Sequence, residues 1–201
     1  GPLRRLLDPG FWLRADRGMR PETSSLTGSG ILFSYKARGM KHLSLSYRMA
    51  RDGRLAVQLV ATPRRGGLAR AGVTFAAAPG LRTVRYFGLG PHENYVDRRA
   101  AALPGDYVFP AGEFCHDYLH PQENGNRTGV ERFRLSGGGH ALEAVTLGAP
   151  FEASAHPYTL RQLEAAQHAD ELDHNGPVTV NLDAAQRGVG GDMPAMALTK
   201  P

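Results

Sequence analysis

The sequence predicts an all-β fold of the sandwich class, and three observations carry that prediction. Apolar residues alternate with polar or small ones in successive runs, Ile31, Phe33 and Tyr35, then Leu43, Leu45 and Tyr47, then Leu55, Val57 and Leu59, which is the period of a half-buried strand. Gly, Pro, Asn and Asp interrupt the runs at short intervals. Only Thr159 to Asp173 has helical spacing.

Taken in order, residues 1–30 lack periodicity and read as a lead-in or loop, with Phe11 and Trp12 as its apolar anchors and Trp12 expected to plug a core edge. Three strands follow from Ile31. Asp52-Gly53 between the second and third predicts a two-residue type I′ hairpin, because Gly accepts the positive φ that such a turn needs. Arg64 to Gly67 reads as a loop. Val73 and Phe75 predict a strand, Pro79-Gly80 a turn, and Val84, Tyr86 and Phe87 another strand. Tyr107 to Pro110 and Phe114 to Leu119 read as short strands or extended pieces. Arg132 to Leu135 and Ala141 to Leu147 read as strands around the Gly137-Gly138-Gly139 turn. Leu160, Leu163 and the alanines after them predict one short helix starting at Thr159. Val178 to Leu182 completes the strands, and Arg187 to Pro194 is a glycine-rich loop. The expected organisation is a lead-in, 1–30, and a single β-sandwich domain, 31–201.

Composition excludes several classes of protein. A chain of 201 residues can bury one substantial core, and no run approaches the roughly 18 apolar residues of a membrane helix. The net charge of +5 conceals an asymmetry: residues 1–100 carry 18 Lys/Arg against 6 Asp/Glu, and residues 101–201 carry 6 against 13. The basic residues are mostly single arginines along strand-like segments, without the aromatic interleaving or compact basic run of a nucleic-acid module. No nucleic-acid or membrane partner is expected. The lone Cys115 cannot close an internal disulfide, which agrees with a reducing compartment and favours the cytoplasm.

Two loop blocks concentrate the polar chemistry, Gly88 to Tyr95 with Asp97-Arg98, and His120 to Arg127. Their His92, Glu93, Asp97, His116, Asp117, His120 and Glu123 are of the types that serve acid/base catalysis, at unspecific spacing. His116 and His120 have the four-residue interval of helical zinc ligands, but Pro121 and the extended sequence argue against a helix there, and no metal is expected. Asn94 and Asn124, beside Gly and Pro, suit backbone hydrogen bonding in turns. Arg98 or Arg127 is expected to pair with Glu93 or Glu123 and lock the blocks together. Tyr158 reads either as a ring for stacking on a sugar or as core at the start of the helix, and core is favoured.

These residues resemble the C-terminal β-domain, or small chain, of the bacterial β-galactosidases of glycoside hydrolase family two. Tyr86 to Tyr95 with Asp97-Arg98 is similar to that family's Gly-Pro-Gln/His-Glu-Asn-Tyr-x-Asp-Arg block, and Tyr118 with His120 to Arg127 to its Pro-Gln-Glu-Asn-Gly-Asn-Arg block. Phe151, Ser154, Tyr158 and Leu163 match a segment before its helix, and Gly188, Gly190, Gly191 and Asp192 its terminal Gly-x-Gly-Gly-Asp loop. Each block alone is weak; four in order over residues 85–194 are specific.

The resemblance implies a supersandwich of the galactose-mutarotase-like type that follows a separate (β/α)8 barrel carrying the two catalytic glutamates of retaining hydrolysis. A barrel of about 250 residues does not fit in this chain, so it is expected to contain no catalytic residue and no cofactor, and to have as partners the barrel domain or large subunit and a galactoside. In the family a Trp just beyond the Gly-Gly-Asp loop reaches the sugar site. Here Gly190, Gly191 and Asp192 lead to Met193 and Met196 without a Trp, leaving the methionines as softer apolar contacts. Family members also run on into a further strand, which implies that 31–201 is cut short at its end. Glu93, Asn94, Tyr95, Asp97, Arg98, Glu123, Asn124 and Arg127 fall on structural motif positions. Two alternatives stand beside the accessory-domain reading: a free-standing carbohydrate-binding module using His92, His116, Asp117 or Tyr158, and a mutarotase-like epimerase using a His and a carboxylate.

Overall fold

In the computed structural model, residues 18–64 and 68–190 are described. Among them are the strands Arg20–Thr27 (β1), Gly30–Lys36 (β2), Met40–Met49 (β3), Leu55–Pro63 (β4), Arg70–Ala76 (β5), Thr83–Gly90 (β6), Leu103–Pro110 (β7), Arg127–Val130 (β8), Arg132–Gly137 (β9), His140–Val145 (β10), Phe151–His156 (β11) and Thr179–Gln186 (β12), with one α-helix, Leu160–Ala165 (α1). The architecture is all-β, as expected. The strands form three four-stranded sheets, and the chain divides into two compact units, one up to Ala71 and one from Gly72. None of the helices is long and apolar enough to cross a membrane among the described residues.

The first unit carries an antiparallel meander, β1-β2-β3-β4. Its register pairs Ile31 with Tyr47 and Tyr47 with Val57, and Phe33 with Leu45 and Leu45 with Leu59. Because side chains alternate between faces, these residues share one apolar face, while Ser34, Ser44, Ser46 and Gln58 share the other. The Phe33 ring meets Tyr47 edge-on at 6.3 Å. Two expectations are corrected here. Residues 20–27 are a strand rather than part of a loop: every residue of β1 is exposed, so no burial imposes alternation on the sequence. The segment pairs with β2 through its backbone, and a register shift accommodates Pro21 at this edge position. The hairpin at Asp52-Gly53 has a three-residue loop, with Gly53 N donating to Ala50 O at 3.1 Å and Ala50 N to Arg54 O at 2.8 Å. Gly53 does take positive φ, 84°, but as the residue after a tight turn that Asp52 stabilises by accepting from Arg54 N at 3.1 Å. Phe11 and Trp12 lie outside the described residues.

The second unit is a sandwich of sheet β10-β9-β6-β7 on sheet β5-β12-β11-β8. Strand β6 buries Val84 and Tyr86 and exposes the residues between, and β9 does the same with Phe133 and Leu135. Facing them are Val130, Ala153, Ala155 and Val180, all fully buried in the same core. The small alanines of β11 leave room for Phe114, which meets Tyr86 at 5.5 Å and Phe133 at 6.3 Å, both edge-on. Phe114 is delivered by a 3₁₀ turn, Ala111–Glu113. The residues after it, expected to include strand, join no sheet, because the His116 N–H goes instead to the Asn124 side chain at 3.1 Å.

The predicted helix exists but is only six residues long. Thr159 caps it with a reciprocal box: its hydroxyl accepts from Gln162 N, and the Gln162 side chain accepts from Thr159 N. Leu163 is its one buried residue. Beyond Ala166 the Gln167 N–H is captured by Glu171 at 2.9 Å, and a 3₁₀ turn, Ala169–Glu171, follows.

On the solvent face of the sandwich, Arg85 forms a fork on Asp106, Nε to Oδ1 at 2.9 Å and a terminal nitrogen to Oδ2 at 2.7 Å, with Arg132 3.6 Å away. The hydrogen bonds from Arg85 hold the Asp106 carboxyl below its ordinary value of 3.8. A carboxyl depressed in the folded state stabilises the fold above its unfolded pKa, and that contribution is lost as pH falls through the lower folded value. The expected result is a carboxyl titration by NMR with its midpoint below 3.8, moving up in Arg85→Ala. A midpoint that does not move contradicts the pairing.

Candidate functional site

The two polar blocks emerge from opposite sheets of the sandwich, the first after β6 and the second just before β8. Asn94 and Asn126 join them. Asn94 N donates to Asn126 O at 2.8 Å, and Asn126 Nδ2 donates to Asn94 O at 3.1 Å. Asn94 also closes its own loop with Nδ2 to Leu89 O at 2.9 Å and His92 O at 3.0 Å, and accepts from Thr128 N and Oγ1 at 2.9 and 2.6 Å. Asn124 does the equivalent work for the second block, with Nδ2 to Gln122 O at 2.9 Å and its own carbonyl accepting from His156 Nε2 at 3.0 Å. Both amides are buried, and such groups are tolerated only when their partners are supplied.

Glu93 is the second link. One carboxylate oxygen accepts from Arg98 and the Tyr118 hydroxyl, and the other accepts from Gly125 N at 2.7 Å. Of the two arginines expected to pair across the blocks, Arg98 is the one on Glu93. Arg127 is buried and donates elsewhere: Nε to Pro91 O at 3.0 Å and Tyr86 Oη at 3.2 Å, and a terminal nitrogen to Gly125 O at 3.1 Å and Asn126 O at 3.3 Å. Its guanidinium lies 4.4 Å from the Phe114 ring centroid. Burial pushes its pKa down. Tyr95, fully buried, has its pKa pushed up by burial first and then by the charges of Glu123 and Glu93. Glu123 itself is half-buried.

Asp97 connects the first block to the glycine-rich loop by accepting from Gly190 N at 2.9 Å. The approach is close enough that a Cβ on Gly188 would stand 2.1 Å from the Asp97 carboxylate carbon, so a side chain there would push the Asp97 carboxylate aside. Gly191, Asp192, Met193 and Met196 lie outside the described residues.

An open pocket of about 320 Å³ lies between the blocks, lined by Pro91, His92, Glu93, Glu113, His116 and Tyr118 at its polar side, with Phe109, Phe114, Cys115 and Arg127 behind. His92 and His116, two of the candidate sugar-binding residues, are therefore brought together, and both are exposed. Asp117 and Tyr158 are not in its lining. Tyr158 is buried with Leu163, Ala166 and Leu172, its ring 5.3 Å from that of His156, and burial raises its pKa. His120 Nδ1 lies 3.3 Å from Gln167 O.

Sequence reasoning missed Glu152 and Gln186, which extend the network into the sheet: Asn126 Nδ2 donates to Glu152 Oε2 at 2.7 Å and Gln186 N to Oε1 at 3.4 Å. A buried glutamate in the small, apolar run of β11 was the available signal, since a carboxylate at such a position needs partners.

A family model described as the beta galactosidase small chain matches residues 12–201. A β-galactosidase of Halalkalibacterium halodurans is 31% identical over 170 residues, covering 81% of this chain and 17% of that protein. β-Galactosidase BgaC of Bifidobacterium adolescentis is 40% identical over 124 residues, 60% of this chain and 12% of that protein. A β-galactosidase of Lactobacillus delbrueckii subsp. bulgaricus is 37% identical over 152 residues, 75% of this chain and 15% of that protein. This chain spans less than a fifth of the length of each of these relatives. With the ordered motifs, the all-β sandwich and a match over nearly its whole length, the chain belongs to the β-galactosidase small-chain family.

Proposed function

We propose that the chain is a non-catalytic C-terminal domain or small subunit of a β-galactosidase, which packs on a separate catalytic barrel and helps shape the galactoside site. The observation that carries this reading is the state of Glu93, the most enclosed carboxylate of the pocket. Both its oxygens already accept hydrogen bonds, from Arg98, Tyr118 and Gly125 N. A retaining glycosidase needs one carboxyl that can release a proton and a second about 5 Å away that can attack carbon. A carboxylate held by three donors is suited to bracing loops. The polar groups of the two blocks accordingly serve each other, giving a firm surface that continues to Gly188 and Gly190. The expected result is that the chain alone leaves a chromogenic galactoside intact, and that hydrolysis appears when a barrel-containing partner is added. Turnover by the chain alone overturns the reading.

The open pocket with His92 and His116 favours carbohydrate binding as a second reading, since hydroxyl-rich ligands need several donors and acceptors on one concave surface. Calorimetry against galactose and lactose tests it: absence of heat at millimolar sugar removes it.

A further inference from the structure

We propose that Cys115, Asp117 and His174 form a zinc site, with water as the fourth ligand. One thiol sulfur, one carboxylate oxygen and one imidazole nitrogen converge so that all three lie within 4.8 Å of one another, and His174 Nε2 is 3.9 Å from Asp117 Oδ1. Ligand atoms around tetrahedral zinc stand about 3.3–3.6 Å apart, as follows from bonds of about 2.3 Å to sulfur and 2.0–2.1 Å to nitrogen and oxygen. Side-chain movement of roughly an ångström closes the set. The inference is independent of the galactosidase reading.

Both halves of the site are held from outside. Cys115 and Asp117 are two apart in an irregular segment that joins no sheet, tightened by Tyr118 N donating to His116 O at 3.1 Å, and their ligand atoms meet in one place. Phe114 anchors that segment in the core, and Asn124 holds the N–H of the intervening His116. His174 comes from a different loop, which Arg82 grips at three successive carbonyls: His174 O at 3.2 Å, Asn175 O at 2.5 Å and Gly176 O at 2.9 Å. The His174 ring also stands edge-on to Tyr158 at 5.6 Å. Tyr158 backs the His174 ring, and its hydroxyl accepts from Asn124 Nδ2 at 3.4 Å, the kind of support that orients a metal ligand.

The donor set selects the metal. Magnesium and calcium take oxygen ligands, whereas thiolate, imidazole and carboxylate together suit zinc. Binding replaces the Cys115 S–H bond with a sulfur–zinc bond and releases the proton to solvent, breaking the contact in which the thiol donates to Gly112 O at 3.2 Å. The bound ion would tie the segment around Cys115 to the loop around His174.

Cobalt(II) is the probe. Because Cys115 is the only cysteine in the chain, a thiolate-to-cobalt charge-transfer band reports this residue alone. Titration of the whole chain under reducing conditions is expected to give that band, with tetrahedral d–d bands, saturating at one equivalent and displaced by zinc. Cys115→Ser is expected to remove the band, and His174→Ala to weaken binding at least tenfold. His116→Ala, which removes a neighbouring exposed imidazole outside the set, is expected to leave it unchanged. Zinc is expected to raise the Tm of the wild-type chain and not that of Cys115→Ser, whose metal-free circular dichroism should match wild type. A Cys115→Ser chain that fails to fold leaves His174→Ala as the deciding variant. No saturable cobalt band in the wild type, or binding unchanged in His174→Ala, overturns the proposal.

Discussion

Glu93→Ala is expected to lower the unfolding free energy by about 3–5 kcal/mol, because it strands two enclosed donors, each costing about 1–3 kcal/mol when left unsatisfied. That is a fifth or more of the roughly 5–15 kcal/mol available to a domain. The side chain is only 13% exposed, and its loss strands donors that water does not easily reach. Gly125 N–H is buried and loses its 2.7 Å acceptor, while the Tyr118 hydroxyl is left facing Arg98 alone. Arg98 is half-exposed and recovers hydration, so most of the cost falls on the other two. Glu93→Gln separates charge from hydrogen bonding. It keeps one acceptor, but its amide group turns a donor toward either Gly125 N–H or the Tyr118–Arg98 pair, and about 1–3 kcal/mol of loss is expected. Denaturant unfolding with an unchanged m-value measures both, and calorimetry on the folded fraction measures sugar binding. A Glu93→Ala chain of wild-type stability that loses sugar binding would show that this carboxylate serves a ligand and not the loops.

The strands were legible where apolar and polar residues alternate along the chain. In Val84 to Phe87 that alternation matches a sheet that buries every second residue; in Ile31 to Tyr35 and Leu43 to Tyr47 the residue types alternate although the strand residues are half-buried on both faces and Ser44 is the most enclosed of its run. β1 was illegible for the converse reason: an edge segment exposed on both faces pairs by its backbone, which no side-chain period records. β11 was missed as a strand because all but Phe151 of its residues are buried, so it reads as small residues without alternation. The helix was overextended because alanines after Leu163 have helical propensity, while Glu171 and His120 engage the backbone of Gln167 from a distance in sequence. In the site, loop-closing by asparagines was readable from their neighbours. The choice of Arg98 over Arg127 for Glu93 was not, since it depends on which arginine the core aromatics enclose. The convergence of His174 on Cys115 and Asp117 spans 57 positions in the chain (174 − 117), and no local pattern announces it.

Arg127→Ala is expected to be as damaging as Glu93→Ala, about 3–5 kcal/mol, for a different reason. Its guanidinium is buried, and burial disfavours its charge enough to depress its pKa, so the charge itself is a cost to the fold. What compensates is geometry. The planar group lies over Phe114 at 4.4 Å and donates to the carbonyls of Pro91, Gly125 and Asn126, carbonyls that belong to both blocks. Alanine leaves those three oxygens without this donor and opens a void against the aromatic core, and unsatisfied buried acceptors and lost packing each cost of the order of 1–3 kcal/mol. Two further substitutions separate the contributions. Arg127→Met restores the stem packing over Phe114 without the donors and is expected to recover roughly 1 kcal/mol of the loss. Arg127→Lys keeps the charge and gives up the planar fork; an ammonium cannot reach carbonyls on both sides at once while stacking on a ring. Lysine is therefore expected to fall closer to alanine than to wild type. If denaturant unfolding instead placed Arg127→Lys at wild-type stability, positive charge rather than the shape of the donor would be what joins the two blocks.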